Sequence, residues 1–218
     1  MKQKTIFITA AILLVALFAG AAQLYRTQKA QQAAQSAAQN KEVLVRFHSP
    51  SIGNTDARVH IVEFLDPACE TCAAFYPLVK KMMAANPSDI RLSIRYAPFH
   101  QGSEDVVRML EASRKQGKYW QALEAVLASQ PGWVQNHSAR PDMVWPYLAR
   151  IGLDTERIRS DMNSPEIVRA ISQDVGDART LKVTKTPEFF VNGRPLPSFG
   201  LEQLRDLVDE ELRKQKAG

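Results

Sequence analysis

Cysteine is scarce in this chain of 218 residues: there are two, beside four histidines. A structural zinc centre asks for four ligands, and no second cysteine pair is present while His48, His60, His100 and His137 stand singly. The sequence therefore implies no metal and no organic cofactor. A basic stripe is missing too. The net charge of +5 falls to near balance once Lys2, Lys4 and Arg26 are set aside, leaving 25 basic against 23 acidic residues that interleave along the chain. This excludes the electrostatic footprint of a nucleic-acid binder. With 45% hydrophobic and 23% charged residues, composition argues neither for disorder nor for several membrane spans. The length leaves room for one domain with a substantial core.

One long apolar run is present. Lys2 and Lys4 precede an uncharged stretch from Thr5 to about Ala22, which reads as a signal anchor or a signal peptide over residues 1–25. About 18 residues nearly span a hydrocarbon core, which favours an anchor, although Ala19-Gly20-Ala21 fits the small-residue pattern of a cleavage site. In either case the positive-inside rule sends the residues after Tyr25 to the extracytoplasmic side, a reading that Arg26 and Lys29 weaken slightly. Residues 26–41 are rich in Ala and Gln and read as a helical linker without a broad apolar face. A stalk is the expected role, a self-associating coiled coil the alternative.

The folded domain is expected over 42–218. His60 to Leu65 is a short apolar run bounded by turn residues, the mark of a buried strand, and Ile90 to Tyr96 alternates apolar and polar residues with the period of a second. A helix between them, from the Cys69 region through Met83, completes a βαβ unit. From about 103 to 181 the patterning is helical only: 106–116, 119–128, 143–151, 155–162 and 165–181. Pro187 to Val191 then reads as a strand closed by Asn192-Gly193, with its partner near Pro195 to Ser198, and Leu201 to Leu212 as a final amphipathic helix.

Cys69 and Cys72 lie where the first strand hands over to its helix. Unpaired N–H groups and the helix dipole at that end favour a thiolate on the first cysteine, which disulfide exchange needs. An exposed Cys69 is expected to attack, and an inward Cys72 to resolve the mixed disulfide. A purely stabilising disulfide is the alternative, but closing so short a loop gains only about 1 to 1.5 kcal/mol.

Four segments in order resemble the DsbA-like branch of the thioredoxin superfamily, together covering most of 45–213. They are Val62-Glu63-Phe64-Leu65-Asp66-Pro67-Ala68-Cys69-Glu70-Thr71-Cys72, Pro77, Gly117-Lys118-Tyr119-Trp120, and Val183-Thr184-Lys185-Thr186-Pro187-Glu188-Phe189-Phe190-Val191-Asn192-Gly193. The resemblance implies an α/β protein of thioredoxin fold with an all-helical insertion, behind the N-terminal transmembrane or signal helix. It implies a cis Thr186-Pro187 bond beside Cys69, with the Thr186 backbone pairing to an extended substrate; the residues alone favour a trans proline opening an edge strand. It implies that Glu63 is a buried acid that relays the proton of Cys72, where a solvent-facing Glu on an edge strand is the equal alternative.

The function implied is dithiol oxidation of exported polypeptides in the periplasm, by a domain anchored to the bacterial inner membrane through residues 5–22 and recycled by a membrane redox partner. A reductase or isomerase using the same site, and a non-catalytic binding module of the same fold, are the alternatives. One departure bears on direction. Strongly oxidising members carry Pro-His between the cysteines, where this chain has Glu70-Thr71. An acid beside the nucleophile opposes the thiolate, so a thiol pKa above that of the strong oxidants and a more reducing potential are expected.

Overall fold

The computed structural model describes residues 2–214, with side chains from residue 34 onward and at scattered earlier positions. Helix α1 (Lys2–Leu44) runs through the apolar stretch and the Ala/Gln segment without a break. Most side chains of the expected anchor, residues 5–22, lie outside the described residues; among the described ones no helix is long and apolar enough to cross a membrane.

The domain is built on five strands, β1 (Ser51–Gly53), β2 (Val59–Leu65), β3 (Ile90–Tyr96), β6 (Glu188–Val191) and β7 (Arg194–Pro195), arranged in the order β1-β3-β2-β6-β7. Helix α2 (Glu70–Ala85) connects β2 to its parallel neighbour β3, and β6 pairs antiparallel on the other side of β2. β2 is thus the central strand. Its odd residues Val59, Ile61 and Leu65 join the larger core, and Val62 and Phe64 face a smaller core with Leu44, Ala178 and Phe190. A strand buried on both faces shows little polar alternation, as the continuous apolar run implied.

The insertion comprises α3 (Ser103–Arg114), α4 (Tyr119–Ala128), α5 (Trp145–Arg150) and α6 (Thr155–Asp161), and leads into α7 (Pro165–Thr180), which packs on β3. It is not wholly helical. A hairpin of β4 (Val134–Gln135) and β5 (Ser138–Ala139) interrupts it, turning on Asn136 and His137 at φ 49° and 57°. Two-residue strands carry too few residues to show a period, and the turn lacks the glycine that usually marks one. The three residues of β1 are too short a run for the same reason. The last helix, α8 (Leu201–Lys214), covers β6 and β2.

The second face of β3 is polar, and it ties α1 to the domain. Arg95 is fully buried; its guanidinium donates to Asp174 (2.7 Å) and Asp177 on α7 and to the carbonyls of Val43 and Leu44 (2.9 and 3.0 Å) at the end of α1. Those carbonyls lack intrahelical partners, so Arg95 caps the helix while its own charge is met by two carboxylates. Arg46 and His48 pair with the same acids. One turn earlier, Asn40 donates to the Gly193 carbonyl at 2.9 Å. Gly193 has φ +86°, and a Cβ there would stand 2.2 Å from the Ala37 carbonyl oxygen, so the approach of α1 to the β6–β7 turn requires glycine.

Candidate active site

The run after β2 folds around Asp66, whose buried carboxylate accepts from the Ala68 amide (2.9 Å), the Ser103 hydroxyl, the His100 amide (2.8 Å) and His100 Nδ1 (2.7 Å). The Asp66 carbonyl in turn accepts from the Cys69 amide at 3.0 Å. From the insertion, buried Gln130 donates through Nε2 to the carbonyls of Pro67 (2.6 Å) and Cys69 (2.9 Å). The loop is thereby fixed by the β3–α3 connection on one side and by the insertion on the other, and Cys69 is delivered as the N-cap of α2. Sequence reasoning missed Asp66, His100 and Gln130. Asp66-Pro67 signals only a turn, and nothing local links His100 or Gln130 to it.

The structure brings together Glu63, Cys69, Cys72, Thr186 and Pro187. The Thr186-Pro187 bond is cis, against the trans form that the residues alone favour, and the Thr186 carbonyl accepts from the Cys69 thiol at 3.2 Å. Cys69 is not exposed as expected: only 6% of its surface is accessible, and Cys72 has none. Both cysteines are unbridged. Thr71, with Glu70, occupies the first turn of α2.

Their environments drive the two thiols apart. Cys69 is pushed down from 9.0 to about 5, first by a hydrogen bond from the Cys72 thiol, then by the Thr186 side chain and the amides of Cys72 and Thr71, which together outweigh burial. Burial holds Cys72 well above the ordinary range, and its bond to Cys69 and the nearby Glu63 add to this. Glu70 turns to the surface, with a carboxylate oxygen 3.6 Å from His137 Nδ1, and is not among the groups that set the Cys69 thiol.

Glu63 is on the central strand rather than an edge, opposite Ile94 and Phe189, and shares the α2-facing side of β2 with Ile61 and Leu65. It is fully buried, and neither carboxylate oxygen has a hydrogen-bond partner. Burial, with the charge of Cys69, raises its pKa to about 8. A carboxyl able to exchange a proton near neutrality therefore stands near the thiol whose pKa is raised.

The histidines are also rearranged relative to expectation. His48 and His60 pair elsewhere, with Asp174 (2.6 Å) and Ser93 (2.7 Å). His100 and His137, single in sequence, come together with Glu70 at the mouth of the site. The aromatic residues are mostly core: Trp133 and Phe189 are fully buried, and the Trp133 indole donates to the Val126 carbonyl at 3.0 Å.

Comparison with known proteins agrees with this architecture. A thioredoxin-like oxidoreductase from Silicibacter pomeroyi superposes with a TM-score of 0.68 at 32% identity, covering 79% of this chain and 95% of that one. The thiol-disulfide exchange protein alpha-DsbA2 from Wolbachia pipientis gives 0.69 at 22% identity, over 84% and 97% of the two chains, a likeness of fold. A Na(+)/H(+) antiporter NhaA from Herminiimonas arsenicoxydans is 31% identical over 144 residues, 66% of this chain but 22% of the antiporter, so the match spans about a fifth of that relative. Residues 46–210 match the thioredoxin family as a whole, and the chain, with its βαβ unit, Cys69 and Cys72 at the head of α2 and a cis proline beside them, belongs to that family.

Proposed function

We propose that this chain is a thiol-disulfide oxidoreductase that oxidises dithiols of exported polypeptides through Cys69 and Cys72. The observation that carries the reading is the opposed perturbation of the two thiols, Cys69 down to about 5 and Cys72 well up, over a buried and unpartnered Glu63. In the oxidised protein a substrate thiolate attacks the Cys69 sulfur, and Cys72 leaves as a thiolate that takes up a proton. A second substrate thiolate then attacks its own mixed-disulfide sulfur and expels Cys69, a good leaving group because its thiolate is stabilised. The substrate leaves with one disulfide and the protein as a dithiol. Glu63 exchanges the proton of Cys72, and the Thr186 backbone lies where an extended substrate strand would pair.

A stabilised thiolate favours the reduced protein, which makes the pair an oxidant. A pKa of about 5 falls between those of DsbA, about 3.5, and thioredoxin, about 7. The potential is accordingly expected between those of DsbA, about −120 mV, and thioredoxin, about −270 mV, in line with the absence of a histidine between the cysteines, and a value above about −180 mV would mark a dithiol oxidant. In this reading the uncharged run 5–22 holds the domain at the inner membrane on the extracytoplasmic side, and a membrane redox partner reoxidises the pair. The test is equilibration of the full chain against glutathione, with the Cys69→Ser variant assayed for substrate oxidation in parallel. A potential near −230 mV or lower would make the pair a reductase or isomerase, and one below about −300 mV a locked disulfide. Full activity in Cys69→Ser would end the catalytic reading.

A further inference from the structure

Three donors from three separate segments meet at the rim of the active site: Glu70 in the first turn of α2, His100 in the β3–α3 connection, and His137 in the β4–β5 turn. One ligand atom of each lies within 4.8 Å of the others. Around a tetrahedral zinc ion, nitrogen and oxygen ligands at about 2.0 to 2.1 Å stand roughly 3.4 Å apart. The closure needed is at most about 1.4 Å (4.8 less roughly 3.4), within the rotamer freedom of Glu70 and His137, whose side chains are 59% and 80% exposed.

Two features separate this cluster from a chance meeting of surface groups. His100 is aimed from behind: its Nδ1 is engaged at 2.7 Å by Asp66, whose side chain has no exposure, which leaves Nε2 free. A carboxylate holding one imidazole nitrogen so that the other faces a metal is the usual support of a histidine ligand. The hairpin is also tied to the His100 segment by backbone, since the Ala139 amide donates to the Gln101 carbonyl at 2.8 Å and Gln101 bridges Ser138. The left-handed turn at Asn136 and His137 then sets the second imidazole beside the first, with ring centroids 6.4 Å apart.

The geometry points to a divalent transition-metal site of the zinc class, with Glu70, His100 and His137 as its three protein ligands and a fourth position open to water or to a substrate group. Two imidazoles and one carboxylate form the donor set of an open zinc site, whereas a closed structural site takes four protein ligands. The carboxylate offsets part of the ion's charge, and the site adjoins Cys69 through the peptide bond to Glu70. Occupancy crowds the approach to the Cys69 sulfur, so a bound ion slows disulfide exchange.

The site is independent of the redox reading and is tested apart from it. Full-length chain, solubilised in detergent and oxidised so that neither cysteine offers a thiolate, is titrated with zinc sulfate against a chromophoric zinc indicator. One ion per chain is expected, with His137→Ala and His100→Ala each weakening binding by roughly 10- to 100-fold and Glu70→Gln weakening it less. His137 decides the matter, because so exposed a side chain can be removed without disturbing the core. Zinc held equally well by His137→Ala, or no uptake by the oxidised chain up to the millimolar range, overturns the site and leaves the disulfide chemistry untouched.

Discussion

Replacing Glu63 by Gln removes a carboxyl that has no hydrogen-bond partner and no access to water. In the unfolded chain this group ionises near its ordinary value of 4.5, and in the folded chain near 8. For an acid whose folded pKa is raised, the stability contribution is fully present below about pH 4.5 and is lost as pH rises through about 8, because folding must take up a proton throughout that window. At about 1.4 kcal/mol per pKa unit the cost is about 3 kcal/mol at pH 7 and approaches about 5 kcal/mol above pH 8. The glutamine amide avoids this cost. Its unpaired polar atoms carry a penalty of about 1 to 3 kcal/mol that does not change with pH. The difference between wild type and Glu63→Gln should therefore move in favour of the variant by several kcal/mol between about pH 5 and pH 8, whatever its absolute value. Urea unfolding of the two oxidised proteins across that range measures it, since neither cysteine then titrates and burial, the larger cause of the Glu63 shift, remains while the smaller contribution of the Cys69 charge is removed. A difference that is flat with pH refutes the buried ionisation. In the same variant, reoxidation of the dithiol, in which Cys72 must lose its proton to attack a mixed disulfide of Cys69 with glutathione, should slow by about 10- to 100-fold, since a thiol held so far above its ordinary pKa has lost its proton acceptor.

The Cys69 thiol should titrate near pH 5 in the reduced protein, measured by thiolate absorbance or by alkylation rate, with Cys72 silent through neutrality. Its folded pKa lies below its unfolded one, so the stabilisation it gives the reduced chain is present above about pH 9 and is lost as pH falls through about 5; a midpoint above pH 8 would contradict the site described. Arg95→Met should destabilise the protein by about 3 kcal/mol in urea unfolding, because Asp174 and Asp177 lose the one fully buried cation between them and keep only the part-exposed Arg46 and His48, while the end of α1 loses its cap. A loss below about 1 kcal/mol would mean that the carboxylates are satisfied some other way.

Much of the scaffold was legible because local rules and the fold agree. The runs at 60–65 and 90–96 carry strand periodicity, and both became strands with boundaries within a residue of those expected. The helices of the insertion announced themselves through amphipathic spacing and through Gly, Pro and Asn punctuation, and Asn192-Gly193 marked its hairpin. Cys69 and Cys72 stood out because two cysteines at a strand-to-helix junction are a local pattern.

What local patterns do not carry is which segments become neighbours, and the site was decided there. Ile61, Val62 and Phe64 are apolar on both faces, so the position of Glu63 in the centre of the sheet or at its edge depended on the pairing of β2 with both β3 and β6, its partner Phe189 lying far along the chain. The isomer of Thr186-Pro187 and the near burial of Cys69 depend on how that later loop lies against the head of α2. His100 and His137 meet Glu70 only because a hairpin of two-residue strands is bonded to the segment after β3. Sequence by itself determined the longer helices and strands and singled out the two thiols, since helix, strand and turn propensities act over a few residues. Tertiary structure alone decided the acid beneath them and the imidazoles beside them, since burial and charge at a point are set by groups that only the folded chain brings within a few ångströms.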